Sequence, residues 1–169
     1  MKGTRIIIAS EPRGVFEEIT VVGTPKPGTV MEIKPSTAAV QNRFSYQVYG
    51  TQAYSSGQYV DNDGDRKCIA VLVEKDHEGG TYDDAYADGD LGQIYYPLPG
   101  EQLNMLVADE SGTGDDHVIG QEMMVKDGTG TLIIADTDAE AHPFTLLEAA
   151  TDPTADALTW CRFNGEGGA

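Results

Sequence analysis

The residues of this chain best suited to chemistry are acidic, and the clearest spacing among them is that of a calcium loop. Asp61, Asp63 and Asp65 match the first three ligands of an EF-hand loop. Arg66 stands where that loop needs glycine, and Leu72 occupies the twelfth position, where it needs a bidentate glutamate. The sequence therefore predicts a tight acidic turn here and no metal site.

The sequence does not indicate a catalytic site either. Adjacent carboxylates such as Asp83 and Asp84 point in different directions, whereas glycosidase carboxylates come from separated positions around a cleft. No GxSxG, GxxxxGK[ST] or post-strand GxGxxG motif is present. The histidines lack HxxxH or HExxH spacing: His77, His117 and His142. We expect no enzyme activity, no catalytic residue and no cofactor; a hydrolase that uses Asp83 and His77 is a rival hypothesis.

The elements around these residues are predicted to be short strands joined by tight turns. The 169 residues include 20 Gly and 8 Pro, spread along the whole chain, and 40% are hydrophobic, which is enough for a core. This composition predicts a mainly β single domain, a small barrel or sandwich with one or two short helices. Further strands are predicted at Thr29–Ile33, within Ser36–Tyr49, and at Gly92–Tyr96, Gln102–Ala108 and Ala157–Phe163.

Four segments carry more specific predictions. The continuous apolar run Cys68–Val73 predicts a strand buried on both faces. Tyr82–Ala87 predicts one helical turn, with Thr81 as N-cap and Gly89 at its end. Asp127–Gly130 predicts a hairpin turn. Phe144–Ala150 fits either a strand or a short helix.

The first 22 residues are predicted to be an extended N-terminal arm, ahead of a β-rich domain at residues 23–169. Their β-branched content favours extended backbone, and Pro12 and Gly14 divide the segment in two. Such a segment can lend its backbone groups to a neighbouring sheet by strand addition. The alternative is an ordinary first strand of the same domain.

The charge of the chain argues against two classes of partner, and its cysteines and apolar runs bear on disulfides and on membrane segments. The net charge is −17, and because nucleic-acid binding depends on Lys and Arg, we expect neither nucleic acid nor an anionic membrane surface as partner. Residues 1–50 hold a slight basic excess, while residues 51–169 hold most of the acids. Cys68 and Cys161 predict free thiols. We find no secretory signal and no apolar run long enough to span a bilayer.

Several turn motifs resemble those of the small head decoration, or cement, proteins of tailed bacteriophages. The similarity covers residues 24–150, and the long Tyr/Ser-rich segment 44–60 and the tail after Asp152 depart from the pattern. The matching positions are Glu74, Gly79 or Gly80, Asp83–Ala87, Gly89, Asp90, Pro99, Gly100, Glu101, Asp127–Leu132 and Leu147–Ala150.

This resemblance implies a protein of the virion, on the outer surface of an assembled icosahedral capsid. It implies that the major capsid protein is the partner, that the chain is a homotrimer, and that it stabilises junctions between capsid subunits. The residues expected to contact the capsid through the arm are Arg5, Ile6, Ile7, Ile8, Arg13, Val15, Phe16, Ile19 and Val21. An inter-subunit loop is expected at Tyr82, Asp83, Asp84, Tyr86 and Asp90.

One alternative function is a glycan- or host-surface-binding virion module. Aromatic side chains that could line a sugar-binding face are Tyr46, Tyr49, Tyr54 and Tyr59. The competing interpretation is that two of them pack inward and two lie on a loop.

Overall fold

The regular structure of the described residues is entirely β. The computed structural model describes residue 6 and residues 13–33, 45–48, 69–74, 81, 83–108, 116–126, 128–135, 142–150 and 157–165. Every regular element within these residues is a strand, which confirms the predicted mainly β fold. No helix in this part of the chain is long and apolar enough to cross a membrane.

Strands of the described residues close into two barrels of five strands each. The first barrel has the order β1-β3-β2-β4-β5, and β5 pairs with β1 to close it. Its strands are β1 Val15–Val21, β2 Val30–Ile33, β3 Ser45–Val48, β4 Ala70–Leu72 and β5 Leu91–Tyr96. All neighbours are antiparallel except β1 and β3, which are parallel.

The second barrel has the order β10-β6-β8-β7-β9, closed by β9 on β10. Its strands are β6 Gln102–Val107, β7 Glu122–Val125, β8 Leu132–Ile134, β9 Phe144–Leu146 and β10 Ala157–Phe163. The β7–β8 pair confirms the predicted hairpin, and β10 has the predicted bounds. Phe144–Ala150 is expected to contain either a strand or a short helix, and Phe144–Leu146 form a strand.

Strand β4 joins the two hydrophobic cores. Ala70 and Leu72 face the interior of the first barrel, where they pack with Ile19 and Ile94. Val71 lies in the other cluster, which extends into the second barrel and includes Val30, Tyr95, Leu103, Met105 and Phe144. Successive residues of a strand face opposite sides, so this apolar run is buried on both faces, as predicted. One of the two hydrophobic clusters therefore contains residues of both barrels.

The predicted helical turn over Tyr82–Ala87 is wrong for the residues that the structure describes. Residues 83–90 form turns without helix, and Tyr82 lies outside the described residues. The Asp84 carboxylate accepts hydrogen bonds from the backbone amide and hydroxyl of Thr81, at 2.7 and 3.0 Å. A short side chain that bonds nearby backbone stabilises a turn in competition with a helix, which accounts for the difference.

Val15–Val21, part of the predicted N-terminal arm, lie in the first barrel. These residues form β1, which pairs antiparallel with β5 from Val15 opposite Tyr96 to Thr20 opposite Leu91. This pairing is the one expected of the alternative, an ordinary first strand of the same domain. Local sequence does not distinguish the two, because an arm and a barrel strand share the same extended pattern.

Candidate partner-binding surface

Burial separates the predicted arm residues into two groups. Ile6, Ile19 and Val21 are buried in the protein's own cores. The backbone of Ile6 is held as well: its carbonyl accepts from the Asn104 amide at 2.7 Å, and its amide donates to a Glu74 carboxylate oxygen at 3.2 Å. Arg5, Ile7 and Ile8 lie outside the described residues.

The exposed group lies at the start of β1. Val15 is 64% exposed and Phe16 is 42% exposed, and 63% of the Arg13 side chain faces solvent. Leu98, 45% exposed, lies on the corner between β5 and β6, and the Arg13 guanidinium donates at 3.5 Å to the carbonyl of the next residue, Pro99. We call Arg13, Val15, Phe16 and Leu98 the exposed patch. It combines apolar side chains with a cation on a strongly acidic protein.

The corner that carries Leu98 is a hydrogen-bonded turn that connects the two barrels. The Glu101 amide donates to the Leu98 carbonyl at 3.1 Å, and Gly100 has φ +92°. Proline at the second position and a left-handed glycine at the third are the features of a type II turn. The Gly100 amide also donates at 2.7 Å to the Phe163 carbonyl on β10, so the corner is fixed to the second barrel.

A buried carboxylate connects this corner to the start of β1. Glu101 is 4% exposed. Its Oε1 accepts from the Arg13 amide at 2.7 Å, its Oε2 accepts from the Leu98 amide at 2.7 Å, and the Tyr95 hydroxyl lies 2.8 Å from both oxygens. The Arg13 Nε atom is 4.0 Å from Oε1. We call Arg13, Gly14, Tyr95 and Glu101 the Glu101 cluster.

The environment of Glu101 favours its ionised form. Burial on its own raises the pKa of a carboxyl group, but the amides of Leu98 and Arg13 and the Tyr95 hydroxyl donate to this carboxylate and hold its pKa below the ordinary value. Burial, followed by the hydrogen bond to Glu101, raises the pKa of Tyr95 to about 12. Both pKa shifts are those expected when a neutral phenol donates a hydrogen bond to a charged carboxylate.

Because Gly14 has no side chain, the backbone just before β1 can pack closely against Tyr95 and Tyr96. Its amide donates to the Tyr95 hydroxyl oxygen at 2.7 Å. A Cβ atom at this position would lie 2.0 Å from the Tyr96 carbonyl oxygen and 2.6 Å from the Tyr95 ring. The next ring along the chain, Phe16, packs on Tyr95 with centroids 4.8 Å apart. The start of β1 is therefore fixed by Tyr95 and Glu101.

Several residues of the predicted inter-subunit loop make hydrogen bonds within the protein itself. Tyr86 is buried, and its hydroxyl donates to the Val73 carbonyl at 2.9 Å. The Asp90 carboxylate accepts from the Ala87 amide at 2.8 Å. Asp83 and Asp84 are exposed, although Asp84 also holds the turn described above. Tyr82 lies outside the described residues.

Tyr46, one of the tyrosines considered for glycan binding, lies inside the first barrel. It is 3% exposed, its hydroxyl is hydrogen-bonded to that of Tyr96, and Tyr96 donates at 3.1 Å to Glu17. Burial and the hydrogen bond to Tyr46 raise the pKa of Tyr96. Tyr46 therefore ties together β3, β5 and β1 and is not part of a sugar-binding face. Tyr49, Tyr54 and Tyr59 lie outside the described residues.

The groups considered for metal or catalytic chemistry do not converge in the described part of the chain. His117 is buried, and the His142 ring nitrogen lies 2.6 Å from the Glu122 carboxylate on the second barrel. Among the described residues, no group of three or more His, Cys, Asp and Glu side chains could hold a metal ion. Cys161 is free and buried, and burial raises the pKa of its thiol. His77 and Asp61–Asp65 lie outside the described residues.

Sequence reasoning missed the Glu101 cluster. The sequence marks Pro99-Gly100-Glu101 as a turn motif. The Arg13 amide, which donates to the Glu101 carboxylate, lies 88 positions earlier in the chain. The one available signal is a glutamate at the end of a Pro-Gly corner, between two apolar strands, where an unpaired charge would be costly.

Comparisons with known proteins find similarity among solved structures. No protein-family model and no curated protein matches this chain. Among solved structures, it is similar to "The crystal structure of head fiber gp8.5 N base in bacteriophage phi29", with 13% sequence identity, a TM-score of 0.49, and 90% of this chain and 95% of that chain covered. A TM-score this low carries no argument about the fold or function of this chain.

Proposed function

We propose that this chain is a structural protein of a phage virion, which binds the outer surface of the assembled icosahedral capsid and stabilises junctions between major capsid protein subunits. The observation that carries the proposal is the exposed patch. Three of the predicted contact residues, Arg13, Val15 and Phe16, remain accessible at the start of β1. The turn motifs shared with head decoration proteins point to the same partner.

The proposed contact is rigid and not a free arm. Consecutive strand residues point to opposite faces of a sheet, yet both Val15 and Phe16, the first two residues of β1, are exposed. A partner must therefore contact the end of the strand together with the adjacent corner at Leu98. Preorganised groups of this kind lose little conformational entropy on binding.

Capsid stabilisation follows by mass action if the binding site spans two capsid subunits. Only the assembled lattice then presents the site, so bound protein favours assembly over dissociation. At a free concentration 100 times the dissociation constant, such linkage contributes roughly 2.7 kcal/mol per site. A homotrimer, the oligomer proposed here, would raise the effective concentration of the second and third contacts.

The charge distribution supports the outer surface over the interior of the particle. A net charge of −17 repels packaged nucleic acid, whereas on the outside the acidic residues face water and keep the protein soluble. The proposed localisation is therefore the outer capsid surface.

The experiment compares binding to assembled and unassembled capsid protein. Purified protein is mixed with expanded capsids of the same phage, or with free capsid subunits, and pelleted; capsid melting is followed by calorimetry. We expect binding to the shells alone and a higher capsid melting temperature. Equal binding to free subunits, no binding to shells, or binding to host polysaccharide in the absence of capsid would contradict the proposal.

A further inference from the structure

Glu101 has more hydrogen bonds than a turn residue needs. A type II turn is closed by one backbone bond, here from the Glu101 amide to the Leu98 carbonyl. The side chain adds bonds from the Arg13 amide, the Leu98 amide and the Tyr95 hydroxyl, all between 2.7 and 2.8 Å. The donors come from the chain before β1, from the corner and from β5. The carboxylate therefore holds the start of β1 against the connection between the barrels.

We propose that Glu101 is the positioning residue of the exposed patch. Its buried carboxylate fixes the backbone at Arg13 and, through Tyr95, at Gly14, and so sets where Val15, Phe16 and the Arg13 guanidinium face a partner. Glu101 itself does not touch the partner. This inference rests on the proposed capsid contact.

The same geometry indicates the chemistry that the partner offers. The Arg13 guanidinium lies with Nε toward Glu101 and with one terminal nitrogen 3.5 Å from the Pro99 carbonyl, while most of the side chain stays exposed. Arginine carries five N–H donors in a fixed fork, so donors remain for an external acceptor. A capsid carboxylate beside an apolar depression fits this arrangement, with Val15 and Leu98 entering the depression.

Glutamate is required at this position because both of its oxygens accept. Oε1 takes the Arg13 amide and Oε2 takes the Leu98 amide. Glutamine has almost the same shape, but its NH2 group has to replace one of these oxygens and would face a backbone N–H. An unsatisfied buried donor is unfavourable, so the variant would release one of the two segments.

Tyr95 extends the effect from Arg13 to Gly14. Its hydroxyl donates to Glu101 and accepts from the Gly14 amide at 2.7 Å. Tyr95→Phe removes that oxygen and retains the whole ring, including the face that contacts Phe16. This variant tests the same connection with a smaller perturbation. The charged and titratable groups that face Glu101 are Arg13, ahead of β1, and Tyr95, on β5.

The first measurement uses the free protein and does not depend on the capsid. Hydrogen exchange is compared for wild type, Glu101→Gln, Tyr95→Phe and the control Glu148→Gln, an exposed glutamate on the second barrel. We expect the Arg13 and Gly14 amides to exchange roughly tenfold faster in Glu101→Gln, since about 1.4 kcal/mol corresponds to a factor of ten. The β7–β8 amides should be unchanged, and the control should match wild type throughout.

The second measurement is co-sedimentation of the same four proteins with expanded capsids. We expect roughly tenfold weaker binding for Glu101→Gln, a smaller loss for Tyr95→Phe and no loss for Glu148→Gln. A Glu101→Gln protein that exchanges faster at Arg13 and Gly14 but binds shells like wild type would overturn the inference. Exchange that rises equally in both barrels would overturn it as well, because Glu101 would then act on global stability.

The two measurements separate the inference from the function on which it rests. If wild type does not pellet with capsids, the proposed function fails, and the exchange data still decide whether Glu101 fixes the start of β1. If Glu101→Gln does not fold, Tyr95→Phe replaces it in both measurements. Wild-type exchange and binding in Tyr95→Phe would then overturn the inference.

Discussion

Glu101 accepts a hydrogen bond from the Arg13 backbone amide at 2.7 Å, across 88 positions of the sequence. This contact joins the start of the first barrel to the corner that leads into the second. It holds the backbone just before β1 in place, while most of the Arg13 side chain stays exposed.

Acid should weaken the fold through Glu101. The pKa of this carboxyl is lower in the folded protein than its ordinary value of 4.5, so its contribution to stability is present above 4.5 and is lost as pH falls through the folded-state pKa. Denaturation by urea at pH values from 3 to 7 should show this loss in wild type. Glu101→Gln should be less stable at pH 7 by about 1–3 kcal/mol and should lose less than wild type below pH 4.5. Parallel pH profiles for the two proteins would contradict the prediction.

The two barrels should unfold together. Leu72 lies in the interior of the first barrel, whereas Phe144 belongs to the cluster that also contains Val30, Val71 and Tyr95 of the first barrel. Leu72→Ala should cost about 2–5 kcal/mol and Phe144→Ala about 3–5 kcal/mol. In calorimetry each variant should shift one common transition to lower temperature. A transition that splits in two, with one barrel unaffected, would show that the barrels are independent.

Two glycines of the β7–β8 hairpin should respond differently to alanine. Both have positive φ, +79° at Gly128 and +64° at Gly130. A Cβ atom at Gly128 meets nothing within 4 Å, whereas at Gly130 it would lie 2.4 Å from the Val30 carbonyl oxygen in the first barrel. Gly128→Ala should cost about 1–2 kcal/mol, from the backbone conformation alone.

Gly130→Ala should cost clearly more than Gly128→Ala, because it also forces the hairpin away from β2. The Val30 amide, which donates to the Gly130 carbonyl at 2.9 Å, should then exchange faster. Urea denaturation and hydrogen exchange check both parts. Equal losses of stability in the two variants would show that the hairpin does not press on the first barrel.

Much of the fold could be predicted from sequence, because local pattern determines it. Residues 158–163 of β10 alternate less buried and buried positions, and β4 is buried on both faces as its apolar run indicates. The hairpin at Asp127–Gly130 follows from its turn residues. The division of the strands into two barrels could not be predicted, since it depends on pairings between distant strands, such as β5 with β1.

The candidate site was predictable only in part. The sequence indicated Arg13, Val15 and Phe16 together with Ile19 and Val21, but which of these are exposed depends on where the strand leaves the barrel. The helical turn predicted over Tyr82–Ala87 failed for the described residues because aspartate side chains bond nearby backbone amides and hold turns. Glu101 could not be assigned a role without the position of Arg13.

Deleting residues 1–22 is not a clean test of the proposed contact, because it would remove β1 from its barrel. Substitution of exposed side chains avoids this. Val15 and Leu91 are 64% and 67% exposed and lie at opposite ends of the same β1–β5 pair, opposite Tyr96 and Thr20 respectively. They form a matched pair of variant and control.

The most direct test is co-sedimentation with expanded capsids of the double variant Val15→Ser, Leu98→Ser, beside Leu91→Ser and wild type. The account predicts that the double variant binds roughly tenfold or more weakly, from the loss of two apolar contacts, while Leu91→Ser binds like wild type. Wild-type binding by the double variant, or an equal loss in Leu91→Ser, would contradict it.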